Sequence, residues 1–141
     1  MKKREPVSHI MTKDVYTVNS ATDSLHDAQK LMESNQVRHI PVVSGEKLTG
    51  IISLTDIQRI SFGSNLGGNQ ESVDHAMFDM LSIEQVMKHE PRTVSPETTI
   101  KEVAEKLAVE EFHALPVVDE SNNLKGIVTT TDMVQFLVDQ Y

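Results

Sequence analysis

Two aspartates, Asp56 and Asp132, each stand three residues after a hydroxyl residue, Ser53 and Thr129, and one after a threonine, Thr55 and Thr131. A carboxylate in such a place can accept hydrogen bonds from both hydroxyls of a ribose, as acidic residues do in dinucleotide-binding sheets. The hydroxyl three residues earlier can donate to a phosphate, helped by backbone N–H groups at a helix start, and Thr55 or Thr131 can share that work. The same spacing also makes a helix cap, which contributes about 0.5–2 kcal/mol and needs no ligand. A second set, Arg38-His39, puts a guanidinium beside an imidazole. The planar fork of arginine suits a phosphate group, and an exposed arginine with a solvated histidine is the plain alternative.

Other chemistries find little support. The six histidines, His9, His26, His39, His75, His89 and His113, form neither a His-Glu-x-x-His motif nor an i, i+4 pair, so no metal site is expected. Cysteine is absent, which removes disulfides, thiolate ligands and a cysteine nucleophile and fits a reducing, cytoplasmic compartment. Without a Gly-x-Ser-x-Gly elbow or a glycine-rich loop ending in Lys-Ser/Thr, an enzyme is not expected. Thirteen basic against 21 acidic residues leave a charge of −8, which repels a nucleic-acid backbone at long range but not a small phosphorylated ligand met by local donors. No apolar run approaches the ~18 residues needed to cross a membrane, and the basic start Met1-Lys2-Lys3-Arg4 has no apolar stretch behind it. A soluble, cytoplasmic protein is expected.

The elements that hold these residues occur twice. Residues 7–60 lie over 83–137 almost without gaps: Gly50-Ile51-Ile52-Ser53-Leu54-Thr55-Asp56 returns 76 residues later as Gly126-Ile127-Val128-Thr129-Thr130-Thr131-Asp132, and Pro41 returns 75 later as Pro116. The reading is repeat 1 over 1–60, a loop and short helix over 61–82, and repeat 2 over 83–141. Each copy opens on a short turn of helix within Val7–Thr12 or Ile83–Lys88, followed by an extended piece at Val15-Tyr16-Thr17-Val18 or Arg92-Thr93-Val94. A helix follows, with Leu25, Ala28, Leu31 and Met32, or Ile100, Val103, Ala104, Leu107 and Ala108, on one face; Thr99 with Glu102 makes a capping-box pattern. Two strands then pair as a hairpin. Pro41 and Pro116 put the first of them at a sheet edge or confine the proline to its first residues, and a last helix starts near Asp56 or Asp132. In the second copy Met133, Val134, Phe136 and Leu137 give that helix an apolar face, and Met11, Met32, Met80, Met87 and Met133 read as core. Residues 61–70, rich in Gly, Ser and Asn, read as a mobile loop, and Ala76, Met77, Met80 and Leu81 as a connecting helix over 73–81. The fold class is α+β, two β-α-β-β-α repeats related by a pseudo-two-fold axis.

The ordered set Ile10-Met11-Thr12, Thr17-Val18, Arg38-His39-Ile40-Pro41-Val42-Val43 and Gly50 to Asp56, present twice, resembles a tandem pair of CBS domains, the Bateman module, and is similar to stand-alone pairs of the acetoin-utilisation type. The resemblance implies a non-enzymatic sensor binding AMP, ADP or ATP, or S-adenosylmethionine, in clefts between the repeats. It also implies a homodimer and an unidentified regulated partner. It carries ligand contact to Asp56, Ser53, Thr55, Arg38 and His39, and to Asp132, Thr129, Thr131 and His113. Val18, Ile52, Val94 and Val128 would give adenine apolar walls and backbone groups, although valines in strands serve equally well as core. His113-Ala114 departs from Arg38-His39, so two sites of unequal affinity are expected. A ligand-free interaction module is the alternative.

Overall fold

A computed structural model describes residues 4–64, 79–109 and 113–141, the side chains of 61–64 excepted. The chain packs as two compact units, Tyr16–Glu90 and Met1–Val15 with Pro91–Tyr141. The packing units and the sequence repeats are therefore different partitions, because the opening segment of each repeat lies in the unit of the other.

In Tyr16–Glu90 the elements are β1 (Val18–Asn19), α1 (Leu25–Asn35), β2 (His39–Ser44), β3 (Lys47–Ser53), α2 (Leu54–Ser64), α3 (Ile83–Val86) and β4 (Lys88–His89). They form a sheet of order β1-β2-β3-β4, parallel between β1 and β2 and antiparallel elsewhere. Helix α1 starts where Ser24 and Asp27 close a reciprocal capping box, and it ends at Gln36 in the left-handed region, φ 54°. The bonds from Ser24, the backbone N–H first, hold the Asp27 carboxyl below its ordinary range. Leu25, Ala28 and Met32 of α1 meet Val18, Ile40, Val42 and Ile52 of the sheet in one core, completed by Ile57, Ile83 and Met87.

The other unit repeats this plan with shorter edges. It holds a 3-10 turn (Val7–His9), α4 (Ile100–Val109), β5 (Ala114–Val118), β6 (Leu124–Thr129) and α5 (Thr130–Asp139). Strands β5 and β6 pair antiparallel. Val94 bridges Val117 in the place of β1, and Thr12 bridges Ile127 in the place of β4. The opening segment is tied in by Val7 N–H to Thr98 O (2.7 Å), Ile100 N–H to Glu5 O (2.9 Å), and the reciprocal pair Thr12 N–H to Ile127 O (2.8 Å) and Ile127 N–H to Thr12 O (2.9 Å). Val7, Val94, Val103, Leu115, Val117 and Val128 make the core.

The crossing segments account for the glycine that leads each duplicated motif. A Cβ on Gly50 would stand 2.5 Å from Met87 Sδ and 2.7 Å from Lys88 O; on Gly126 it would stand 2.7 Å from Met11 Sδ and 2.8 Å from Thr12 O. Only a residue without a side chain lets the incoming backbone lie this close.

Several expectations are corrected. Pro41 stands in β2, which has β1 and β3 on its two sides and is not an edge, whereas Pro116 stands in β5 of a two-stranded sheet, with one isolated bridge, to Val94, on its open side. There Val94 N–H donates to Pro116 O (3.1 Å) and Val94 O accepts from Val118 N–H (3.0 Å). That single bridge lies beyond the place where a proline N–H would be needed. The last helices do begin near the aspartates, at Leu54 and Thr130. Helix α2 runs through 61–64, where a loop was expected. The remainder of that loop, His75, and 73–78 of the expected connecting helix lie outside the described residues. Met80 is exposed, not core, and on α5 Val134, Leu137 and Val138 are also exposed, because only Met133 of that helix reaches the core.

Candidate functional site

Each duplicated motif forms a corner where a strand gives way to a helix. At the first, Asp56 N–H donates to Ser53 Oγ (3.1 Å) and Asp56 Oδ2 accepts from Ser53 N–H (2.9 Å). At the second, Asp132 N–H donates to Thr129 Oγ1 (3.1 Å) and Asp132 Oδ2 accepts from Thr129 N–H (2.9 Å). Both copies therefore build the reciprocal capping box, and the cap reading of Ser/Thr-x-x-Asp is realised twice.

The cap uses only one oxygen of each carboxylate. Oδ1 of Asp56 lies 3.7 Å from Arg59 Nη1, and Oδ1 of Asp132 accepts from Thr12 Oγ1 at 3.5 Å. Each hydroxyl of the box accepts from an N–H and keeps its own proton to donate. Cap and ligand contact are thus compatible: Oδ2 closes the helix, Oδ1 can accept from a sugar hydroxyl, and Ser53 or Thr129 can donate to an anion. Asp56 is buried at 8% exposure, and a carboxylate so placed keeps its geometry through these bonds.

The arginine set lies against the first corner. His39 pairs with Ser53 across the hairpin, and Leu54 N–H donates to Arg38 O (2.8 Å). Arg38 is exposed and His39 half-buried. In the second unit Ala114 pairs with Thr129, and Thr130 donates to His113 O from N–H (3.0 Å) and from Oγ1 (3.3 Å). His113 therefore holds the place of Arg38 and Ala114 that of His39. Thr55 and Thr131 are exposed in the first turns of α2 and α5.

Val18, Ile52, Val94 and Val128 are the exception. Their side chains are 1%, 0%, 6% and 0% exposed and belong to the two cores, since they stand on sheet faces covered by helices. As side-chain walls for a ligand they would have to leave those cores, so only their backbone groups are on offer. An open cavity of about 310 Å³ in the Tyr16–Glu90 unit, lined by Val18, Asp23, Asp27, Lys30, Leu31 and Ser34, shares only Val18 with the candidate residues.

Sequence reasoning passed over three residues. Arg59 follows Asp56 by one helical turn, a spacing at which side chains meet. Thr12 and Lys88 are equivalent, 76 residues apart, and stand opposite Ile127 and Ile51; the repeat alignment already pairs them, but only the sheet places them beside the corners. Among the described residues no group of three or more His, Asp or Glu could hold a metal ion, and no helix is long and apolar enough to cross a membrane.

The family model described as "CBS domain" matches residues 7–63 and 83–139. Uncharacterized protein MJ1225 of Methanocaldococcus jannaschii is 31% identical over 135 residues, covering 95% of this chain and 48% of that protein. Its crystal structure, described as that of a proposed archaeal homologue of γ-AMPK, superposes with a TM-score of 0.81 at 29% identity over 97% of this chain and 49% of the other. The chain spans about half or less of most curated relatives it matches, including 22% and 24% of two enzymes that carry a similar segment, but 90% of CBS domain-containing protein DDB_G0289609 of Dictyostelium discoideum, which is 29% identical. A proposed acetoin utilization protein from Vibrio cholerae gives a TM-score of 0.78 at 30% identity, covering 96% and 91% of the two chains. The CBS domain pair of protein MJ0100, solved with 5′-methylthioadenosine and S-adenosyl-L-methionine, gives 0.77 at 26% identity, covering 96% and 98%.

Proposed function

Since this chain belongs to the CBS-domain family and carries the domain twice, we propose that it is a non-catalytic regulatory module that binds an adenosine-based ligand, AMP, ADP or ATP, at the strand-to-helix corners of Ser53–Asp56 and Thr129–Asp132. The observation that carries this reading is the split use of the two aspartates, with Oδ2 committed to the cap and Oδ1 turned to other groups in both copies. Arg38, His39 and His113 are the proposed phosphate partners, with Thr55 and Thr131 beside them. The pair of MJ0100, with two adenosine ligands bound, supports the ligand class and makes S-adenosylmethionine the second candidate. Signalling requires the ligand to prefer one arrangement of the module over another, since a ligand of equal affinity shifts nothing. The reading includes a cytoplasmic homodimer acting on a partner protein.

The test is calorimetric titration with AMP, ADP, ATP and S-adenosylmethionine, together with thermal unfolding. A saturating ligand is expected to raise the midpoint by about 3 °C or more. Absence of heat and of any midpoint rise with all four would leave the ligand-free interaction module as the reading.

A further inference from the structure

The two corners share one backbone plan and differ in the cations around it. At the first, Arg38 precedes β2, Arg59 lies 3.7 Å from Asp56 Oδ1, and Lys88 stands opposite Ile51, two residues before Ser53. At the second, the equivalent positions hold His113, Gln135 and Thr12. The Thr12 position is placed to reach the corner, because its hydroxyl donates to Asp132 Oδ1 at 3.5 Å; Lys88 occupies that position in the first unit. The adjacent strap residue reverses the bias in part, with Lys13 in the second unit and His89 in the first. His89 Nε2 lies 2.8 Å from Glu84 O and is turned to the backbone of α3. Counting permanent cations at these four positions gives Arg38, Arg59 and Lys88 against Lys13 alone.

Resting on the adenosine-ligand reading above, we infer that the corner at Asp56 selects nucleoside polyphosphates, with Arg59 and Lys88 reading the phosphates beyond the first, and that the corner at Asp132 takes adenosine ligands of low charge. The physical basis is the difference in ligand charge. A triphosphate brings about two more negative charges than a monophosphate, and each needs a local cation to replace the water it loses. The first corner has such cations within one helical turn or one strand step of the box. Arg59 is 73% exposed, so its contact with Asp56 is weak. The guanidinium can turn from Oδ1 to a phosphate at little cost, which also frees Oδ1 for a sugar hydroxyl. At the second corner Asp132 faces a neutral hydroxyl, and a triphosphate there would meet the carboxylate with few compensating cations.

The experiment is calorimetric titration of ATP and AMP into the unmodified chain, the double variant Arg59→Gln/Lys88→Thr, which gives the first corner the residues of the second, and the converse Thr12→Lys/Gln135→Arg. Arg59→Gln/Lys88→Thr is expected to weaken ATP at one site by about tenfold or more while AMP changes less than about threefold, and to flatten the salt dependence of ATP binding. The converse variant is expected to strengthen ATP at the other site. Circular dichroism and the melting midpoint identify any variant that fails to fold, in which case the single variants Arg59→Gln and Gln135→Arg decide by the same ratio. Equal losses for ATP and AMP, or none for either, overturn the inference while leaving ligand binding intact. Absence of binding by the unmodified chain overturns the underlying reading and the inference with it.

Discussion

Replacing Gly50 by alanine is expected to lower the free energy of unfolding by about 1–3 kcal/mol, the range for overpacking a filled site. An alanine in the interior of a strand ordinarily gains about 0.5–1 kcal/mol over glycine, so the sign of the change is itself the test. The added Cβ would lie 2.5 Å from Met87 Sδ and 2.7 Å from Lys88 O. A thioether can swing away, but a carbonyl held in the β3–β4 pairing cannot. Adding Met87→Ala to Gly50→Ala should therefore recover none of the loss, since it relieves the softer clash and opens a cavity. Gly126→Ala, facing Met11 Sδ and Thr12 O at 2.7 and 2.8 Å, should behave in the same way. Urea unfolding of the three variants checks this; a neutral or stabilised Gly50→Ala would show that β4 does not cross where described.

Asp132→Asn should separate the cap from the ligand contact. An asparagine oxygen can still accept from Thr129 N–H, so the capping box survives. The lost charge at the start of α5 costs about 0.3–1 kcal/mol. A ribose, by contrast, loses a charged acceptor, and hydrogen bonds to charged groups are worth about 1.5–3 kcal/mol. Affinity at that corner is thus expected to fall about 10–100-fold while the melting midpoint without ligand moves by only a few degrees. Unchanged affinity with lowered stability would mean that Asp132 is a cap and nothing more. Asp56→Asn should have the same split effect on the ligand of the first corner, with a larger stability loss because Asp56 is buried.

Element types and the two corners were legible because they depend on neighbours in sequence. The stripe of Leu25, Ala28 and Met32, the hairpin strands, and the hydroxyl-x-x-carboxylate boxes all involve residues within a few positions of one another. Sheet edges were not legible. Nothing local in Ile10-Met11-Thr12 says that Thr12 will bridge Ile127, and nothing local in Val86-Met87-Lys88 says that Lys88 will lie opposite Ile51. The duplicated glycines carried that information, since a strand glycine often marks a close backbone approach, but the partner was unreadable. Pro41 misled for a related reason: the rule against interior proline assumes a full ladder on both sides, and here the β1 side pairs at only two positions. On α5 hydrophobicity was taken as burial, yet a helix ten residues long presents one face to its core, and Val134, Leu137 and Val138 stand on another.

The exchange of opening segments also sets an order of events during synthesis. The unit Tyr16–Glu90 is continuous in sequence, so every strand of its sheet has left the ribosome once His89 has emerged, and it can close while the rest of the chain is still being made. The first fifteen residues have no such option. Their partners, Thr98, Ile100 and Ile127, come more than 80 residues later, and pairings of long sequence separation form slowly. Val7 and Met11 are therefore held in water as an apolar, unpaired arm until the last strand arrives. The unit that holds them thus closes only after β6 has been made, later than Tyr16–Glu90.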